Sequence, residues 1–201
     1  VVFITALVFL SGACTKLEDE NFSELVSSQF IPTEDDIASL VGPAYVSWQW
    51  LNEMGMEWRA GYRYAQEVSS DELMIPRRPN GWVDEGIYRD LFMHESTPFD
   101  WYADGTWKDS YRGVTNTNRI IYQIESGAIP IKEDKENLLA ELRVLRASFY
   151  YVLCDLFGNV PIVTQFDVPE GYLPEQNTRQ EVYDFIISEI TQSLPLLSEE
   201  V

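Results

Sequence analysis

Trp82 stands in the stretch Pro76-Arg77-Arg78-Pro79-Asn80-Gly81-Trp82-Val83-Asp84, which is rich in turn formers and poor in apolar neighbours. An aromatic ring on a polar loop is placed for contact rather than burial, and loops held on a rigid frame are where binding groups gather. Sugar rings present flat faces of C–H groups and an equator of hydroxyls. Aromatic side chains cover the first, and Asp, Asn and Arg hydrogen-bond the second. Arg78, Asn80, Trp82 and Asp84 are therefore the candidate ligand contacts. All 6 tryptophans (Trp48, Trp50, Trp58, Trp82, Trp101 and Trp107) fall in one part of the chain, with Tyr62, Tyr64, Tyr88 and Tyr102 among them. Trp48 and Trp107 lie at helical spacing with other apolar residues and are read as core.

Other chemistries find little support. His94 is the only histidine, so a histidine metal site or a Ser-His-Asp triad would rest wholly on it. It falls between Met93 and Glu95 in an expected helix and is read as structural. Carboxylates abound, so a glycosidase pair is not excluded by counting, but no two are marked out. There is no phosphate-binding glycine loop. Asp71, Glu72, Asp84 and Glu85 are read as solvated charge rather than a Ca²⁺ site, so no metal and no cofactor are expected.

The elements that must position the loop are helical. Thr33 is suited to cap a helix whose first turn carries Glu34, Asp35 and Asp36. The helix runs through Ile37, Leu40, Val41, Ala44, Tyr45 and Trp48 toward Met54, with Pro43 kinking or restarting it. Residues 57–82 read as irregular, and a short helix is expected around Glu85–His94. Asp104–Ser126 shows Trp107, Tyr111, Val114, Asn118, Ile121 and Ile124 at helical spacing. The short turn Gly127–Glu133 should make this helix the antiparallel partner of the next. Thr178-Arg179-Gln180-Glu181 is a capping box, followed by the stripe Val182, Phe185, Ile186, Ile190 and Leu194, ending near Pro195. Val160–Phe166 is the only decent strand candidate.

Between these lies Leu138–Asp167, whose Leu138, Leu142, Leu145, Phe149, Val152 and Leu156 recur in steps of three and four on one helical face. Arg143 and Arg146 read as lying off that face. Gly158 supplies a left-handed terminus and Pro161 prevents resumption. This stretch, ending in Leu156-Phe157-Gly158-Asn159-Val160-Pro161, resembles the signature of the SusD/RagB family of outer-membrane nutrient-binding lipoproteins. A second segment is similar to one found in that family: Ser70-Asp71-Glu72, Pro76-Arg77-Arg78, Trp82, and Asp84-Glu85-Gly86, with Glu85 intervening before the glycine. The resemblance implies an all-α fold of tetratricopeptide-like helical hairpins with long irregular loops and little strand. It also implies that the Pro76–Asp84 region contributes to a glycan face. Family members are normally much longer, so the 201 residues read as an N-terminal fragment.

Charge and termini fit that expectation. The formal net charge is -19, from 33 acids against 14 bases, which excludes a nucleic-acid backbone as partner and disfavours anionic membrane surfaces unless a covalent anchor holds the chain there. Residues 1–10, VVFITALVFL, are too short to span a bilayer but suit the core of an export signal. Ser11-Gly12-Ala13 and Cys14 then resemble a bacterial lipoprotein signal, with residues 1–13 removed, Cys14 lipidated and 14–32 a tether to the helical domain 33–201. Ser11 stands where that signal usually has Leu, so a general signal-peptidase site is the rival reading. With Cys14 lipidated, Cys154 is the only free thiol and no disulfide forms within the chain; a lone thiol on a helix reads as a small core residue.

The expected function is that of a lipid-anchored, surface-exposed outer-membrane protein. It binds starch or other oligosaccharides and delivers them to a SusC-like TonB-dependent transporter, with no catalysis. A peptide-binding uptake lipoprotein of the same fold is one alternative, an extracytoplasmic glycan-cleaving enzyme a second, and a ligand-free helical scaffold a third.

Overall fold

The computed structural model describes residues 33–57, 61–81, 84–131 and 134–198. The chain separates into the units Val1–Phe30 and Ile31–Val201, and every described residue belongs to the second. The expected export signal, Cys14 and the tether lie outside the described residues.

The described chain is helical, as the fold class requires. It runs α1 (Glu34–Glu57), α2 (Tyr62–Val68), a 3-10 turn (Asp84–Gly86), α3 (Ile87–Phe92), α4 (Trp101–Glu125), α5 (Lys135–Phe157), α6 (Arg179–Ser193) and a closing 3-10 turn (Leu194–Leu196). The long helices pack as neighbours, α1 on α4, α4 on α5 and α5 on α6, while α2 packs on α1 and α4 and carries α3 on it. This is the layout of tetratricopeptide-like hairpins, each helix burying one face on the next. Among the described residues no helix is long and apolar enough to cross a membrane.

Both expected caps are present. The amide of Asp36 donates to Thr33 Oγ1 at 3.3 Å while Asp36 Oδ2 accepts from the Thr33 amide at 2.9 Å. Thr178 and Glu181 form the reciprocal pair at α6. Those contacts hold the Asp36 and Glu181 carboxyls below the usual carboxylate range, the capped backbone amide first and the hydroxyl second. Pro43 neither ends nor restarts α1. It and Ser39 are both exposed, so the carbonyl that loses its partner faces water.

The centre of the frame is a ring against a bare backbone. Phe149 of α5 is fully buried, edge-on to Trp48 of α1 at 5.4 Å between centroids. A Cβ at Gly113 of α4 would stand 2.2 Å from the Phe149 ring, so only glycine lets the two helices close. Trp107 packs on Tyr111 and Phe157 as the core reading expects.

Several expectations need correction. Residues 57–82 are not wholly irregular: Tyr62–Val68 is helical because Tyr62, Ala65 and Val68, spaced by three, bury one face. The helix expected from Asp104 begins at Trp101, and the one expected from Leu138 begins at Lys135. Arg146 is not off the apolar face but 5% exposed. It donates to Glu189 Oε2 of α6 through Nη2 at 2.6 Å and Nε at 2.8 Å, and through Nη1 to Asn118 Oδ1 of α4 at 2.8 Å. A pattern of apolar letters misses it, since a buried arginine is tolerated only where such partners meet it. On α6, Val182 and Ile186 are buried, but Ile190 and Leu194 are exposed.

Val160–Phe166 forms no strand; it makes one isolated bridge, Pro161 with Gln176. Side chains do the work of strand partners. The Tyr150 hydroxyl accepts from the Val163 amide at 2.7 Å and donates to the Val163 carbonyl at 3.2 Å. Asn118 Nδ2 donates to that same carbonyl at 2.8 Å, and Tyr111 donates to the Pro161 carbonyl at 2.7 Å. Asn177 Oδ1 accepts from Ile162 at 2.9 Å. The extended backbone is thereby satisfied without a sheet.

Candidate functional site

The segment between α2 and α4 has its own small core: Ala65, Val68, Tyr88 and Leu91, with Tyr64, Ile75, Ile87 and Tyr102 packed on it. Tyr64 meets Tyr88 edge-on at 6.2 Å. A satellite cluster of this kind is what holds a long loop in place. Above it opens a cavity of about 540 Å³, lined by Met74, Ile75, Pro76, Arg77, Glu85, Gly86, Tyr88, Arg89 and Phe92.

Two stretches wall this cavity, Met74–Arg77 and Glu85–Phe92, and the turn-rich loop joins them. The Gly81 amide closes a turn on the Arg78 carbonyl at 2.9 Å, with Gly81 at φ +84. The chain re-enters α3 through consecutive left-handed residues, Glu85 at φ 59 and Gly86 at φ 90. Glu85 is the residue that interrupts the Asp-Gly pair noted in the sequence, and the kink it makes turns α3 toward the cavity. A non-glycine residue there costs about 1–2 kcal/mol, and such strain gathers at binding sites.

Of the sequence-predicted contacts, Arg78 and Asn80 lie exposed on the segment that joins the two walls. Asp84 opens the 3-10 turn that leads into the wall. Trp82 lies outside the described residues, and so does the side chain of Asp84. Of the wall residues, Tyr88 belongs to the aromatic concentration seen in the sequence, while Met74, Arg89 and Phe92 are not among the sequence candidates. Their signal was the helical spacing of Tyr88 and Phe92, readable from the sequence only as core. Tyr88 is indeed 8% exposed, whereas Phe92 at 40% and Met74 at 58% leave apolar surface open to the cavity.

His94 is not helical but sits just past α3 at φ 57, where the Glu95 amide reaches the Asp90 carbonyl at 2.8 Å and closes the helix end. Arg89 pairs with Asp90 at 3.3 Å and Glu95 at 3.6 Å on the surface. Among the described residues no group of three or more His, Cys, Asp or Glu could hold a metal ion. A wider groove of about 940 Å³ runs along α5 and α6, between Tyr151, Tyr183, Ile187 and Ile190, away from the turn-rich loop.

The described residues thus form helical hairpins on a tetratricopeptide-like frame that carries a largely apolar cavity. The chain belongs to the SusD-like family described as "Starch-binding associating with outer membrane", whose profile matches residues 27–201. It is 22% identical over 207 residues to a SusD-like protein of Bacteroides ovatus, covering 100% of this chain and 35% of that one. It is 32% identical over 173 residues to SusD-like protein P25 of Formosa agariphila, covering 82% of this chain and 31% of that one. Among solved structures it superposes on surface glycan-binding protein A from Bacteroides uniformis with a TM-score of 0.66 at 22% identity, over 81% of this chain and 34% of the other. The chain thus spans about a third of the length of these relatives.

Proposed function

We propose that this protein is a surface glycan-binding lipoprotein that captures oligosaccharide without cleaving it and passes it to a TonB-dependent outer-membrane transporter. The observation that carries the reading is the cavity walled by Met74–Arg77 and Glu85–Phe92, joined by the loop of Arg78, Asn80, Trp82 and Asp84, in a member of a family described as starch-binding. Trp82 supplies a face for stacking on a pyranose ring, and Arg78, Asn80 and Asp84 bond its hydroxyls. Cys14, processed and acylated, anchors the chain, which explains how a polypeptide of net charge -19 stays at an anionic envelope.

Isothermal titration against a panel of plant and algal oligosaccharides tests the capture step. Binding to at least one class, lost in Trp82→Ala, supports it; absence of any saccharide binding, or reducing ends released on incubation, refutes it. Metabolic labelling with a fatty-acid analogue tests the anchor, with incorporation lost in Cys14→Ala. Pull-down from envelope extracts tests the partner, with a large β-barrel transporter as the expected companion.

The apolar character of Met74, Ile75, Pro76 and Phe92 favours one second reading, an oligopeptide whose apolar side chain seats in the cavity. Titration with apolar oligopeptides separates the two.

A further inference from the structure

We propose that the cavity between Met74 and Phe92 selects saccharides carrying methyl-bearing substituents, acetyl groups above all, over the same saccharides unsubstituted. This rests on the glycan-binding reading and sharpens it.

A bare pyranose is ringed by hydroxyls, each hydrogen-bonded to water before it binds. The cavity would meet many of them with Met74, Ile75, Pro76 and Phe92, whose side chains carry no hydrogen-bond donor and at best a weak thioether acceptor. A hydroxyl pressed against such a wall loses its water and gains nothing, at a cost of about tenfold or more in affinity. An acetyl ester replaces that hydroxyl with a methyl group the wall welcomes and a carbonyl that only accepts. Arg77 and Arg89, in the same lining, can donate to that carbonyl, while Glu85 is the lining's one carboxylate and serves a remaining hydroxyl.

The volume agrees. About 540 Å³ is far more than one acetyl group fills and admits a substituted sugar unit as a whole. Stacking on a ring face needs one flat aromatic, such as Phe92 or Tyr88; it does not call on the aliphatic Met74, Ile75 and Pro76 of the same lining. Met74 and Phe92 stay 58% and 40% exposed although the satellite core lies beneath them. A substituent of matching polarity would cover the apolar surface they leave open.

The test uses a matched pair of probes on the whole chain: partially acetylated xylo-oligosaccharides, and the same preparation after alkaline deacetylation. Titration is expected to give an affinity about 5- to 10-fold higher for the acetylated form. The ratio should fall toward one in Phe92→Ala and in Met74→Ser, each checked for folding by circular dichroism. L-fucose against L-galactose, which differ by one hydroxyl at a methyl carbon, reads the same preference without an ester. Equal affinity for both members of each pair, with binding still lost in Trp82→Ala, overturns the selectivity and leaves glycan capture standing. Binding of apolar oligopeptides with no saccharide bound overturns both.

Discussion

The helical frame and the segment between α2 and α4 solve opposite problems. In the frame, close approaches are secured by particular pairings: the Phe149 ring on Gly113, Arg146 on Glu189 and Asn118, Tyr150 on the Val163 backbone. Their large side chains are sealed from water, and their polar groups face partners inside the molecule. In the segment, Ala65, Val68, Tyr88 and Leu91 make only a thin floor, and Leu73, Met74, Phe92, Met93 and Phe99 remain exposed above it. The buried pairs of the frame use their complementarity internally, although α5 and α6 also expose Tyr151, Tyr183 and Ile187; the segment has few such pairs and keeps most of its apolar surface open. Mutations should therefore divide cleanly, with frame substitutions costing stability and cavity substitutions costing binding.

The largest loss is expected from Glu189→Leu, which strands the buried Arg146 guanidinium among Phe185, Asn118 and the core. Removing one partner of a buried pair costs about 3–5 kcal/mol. Replacing both, in Arg146→Met with Glu189→Leu, should recover most of it. Urea denaturation of the two variants checks this; equal losses would mean the pair itself, rather than the stranded charge, carries the energy. Gly113→Ala comes next, at about 2 kcal/mol after the helix-propensity gain of alanine is allowed for. A paired Phe149→Leu change should make the Gly113→Ala step less costly, which a double-mutant cycle reads directly.

Tyr150→Phe follows, at about 1–3 kcal/mol, because it orphans the Val163 amide, while the Val163 carbonyl keeps its bond from Asn118. Burial pushes the Tyr150 hydroxyl up to about 12, against a bond to Val163 and the Arg146 charge that pull it down. Burial also raises Tyr111, as it does Tyr45, whose hydroxyl donates to Glu141. For an acid whose folded value lies above its unfolded value of about 10, the stabilisation is complete below pH 10 and is lost as pH rises toward 12. Denaturation midpoints should hold to about pH 9.5 and then fall, less steeply in Tyr150→Phe. A flat profile to pH 11 would refute the burial argument.

The difference between the regions also governs what the letters reveal. Helices α1, α4, α5 and α6 declare themselves through apolar periodicity, through Thr178 with Glu181, and through Gly158 followed by Pro161, because those signals are local and each helix buries a face. Arg146 was misplaced because its burial depends on Glu189 and Asn118, far away in sequence. Val160–Phe166 reads as a strand, for an extended chain looks the same whether a sheet or the side chains of Tyr111, Asn118 and Tyr150 satisfy it. At the candidate site the loop was legible through Pro, Asn and Gly. The wall was not, since Tyr88 and Phe92 carry the same helical spacing as a core pair and only the packing of α2 beneath them leaves Phe92 open.

The smallest effect expected is also the one that best separates the two regions. Glu85 holds φ 59 in the cavity wall, a conformation that costs an ordinary residue about 1–2 kcal/mol and glycine little. Glu85→Gly removes that strain but enlarges the unfolded ensemble, so the net gain in stability should be only about 0.5 kcal/mol. If Glu85 served the backbone alone, ligand affinity would be unchanged, because glycine keeps the turn that directs α3. If its carboxylate also meets the ligand, stability rises while affinity falls. Opposite signs in denaturation and titration are the expected result. A buried residue of the frame such as Phe149 has no route to them, since its side chain meets only other parts of the protein. A parallel fall in both would place Glu85 with the frame and erase the division between the regions.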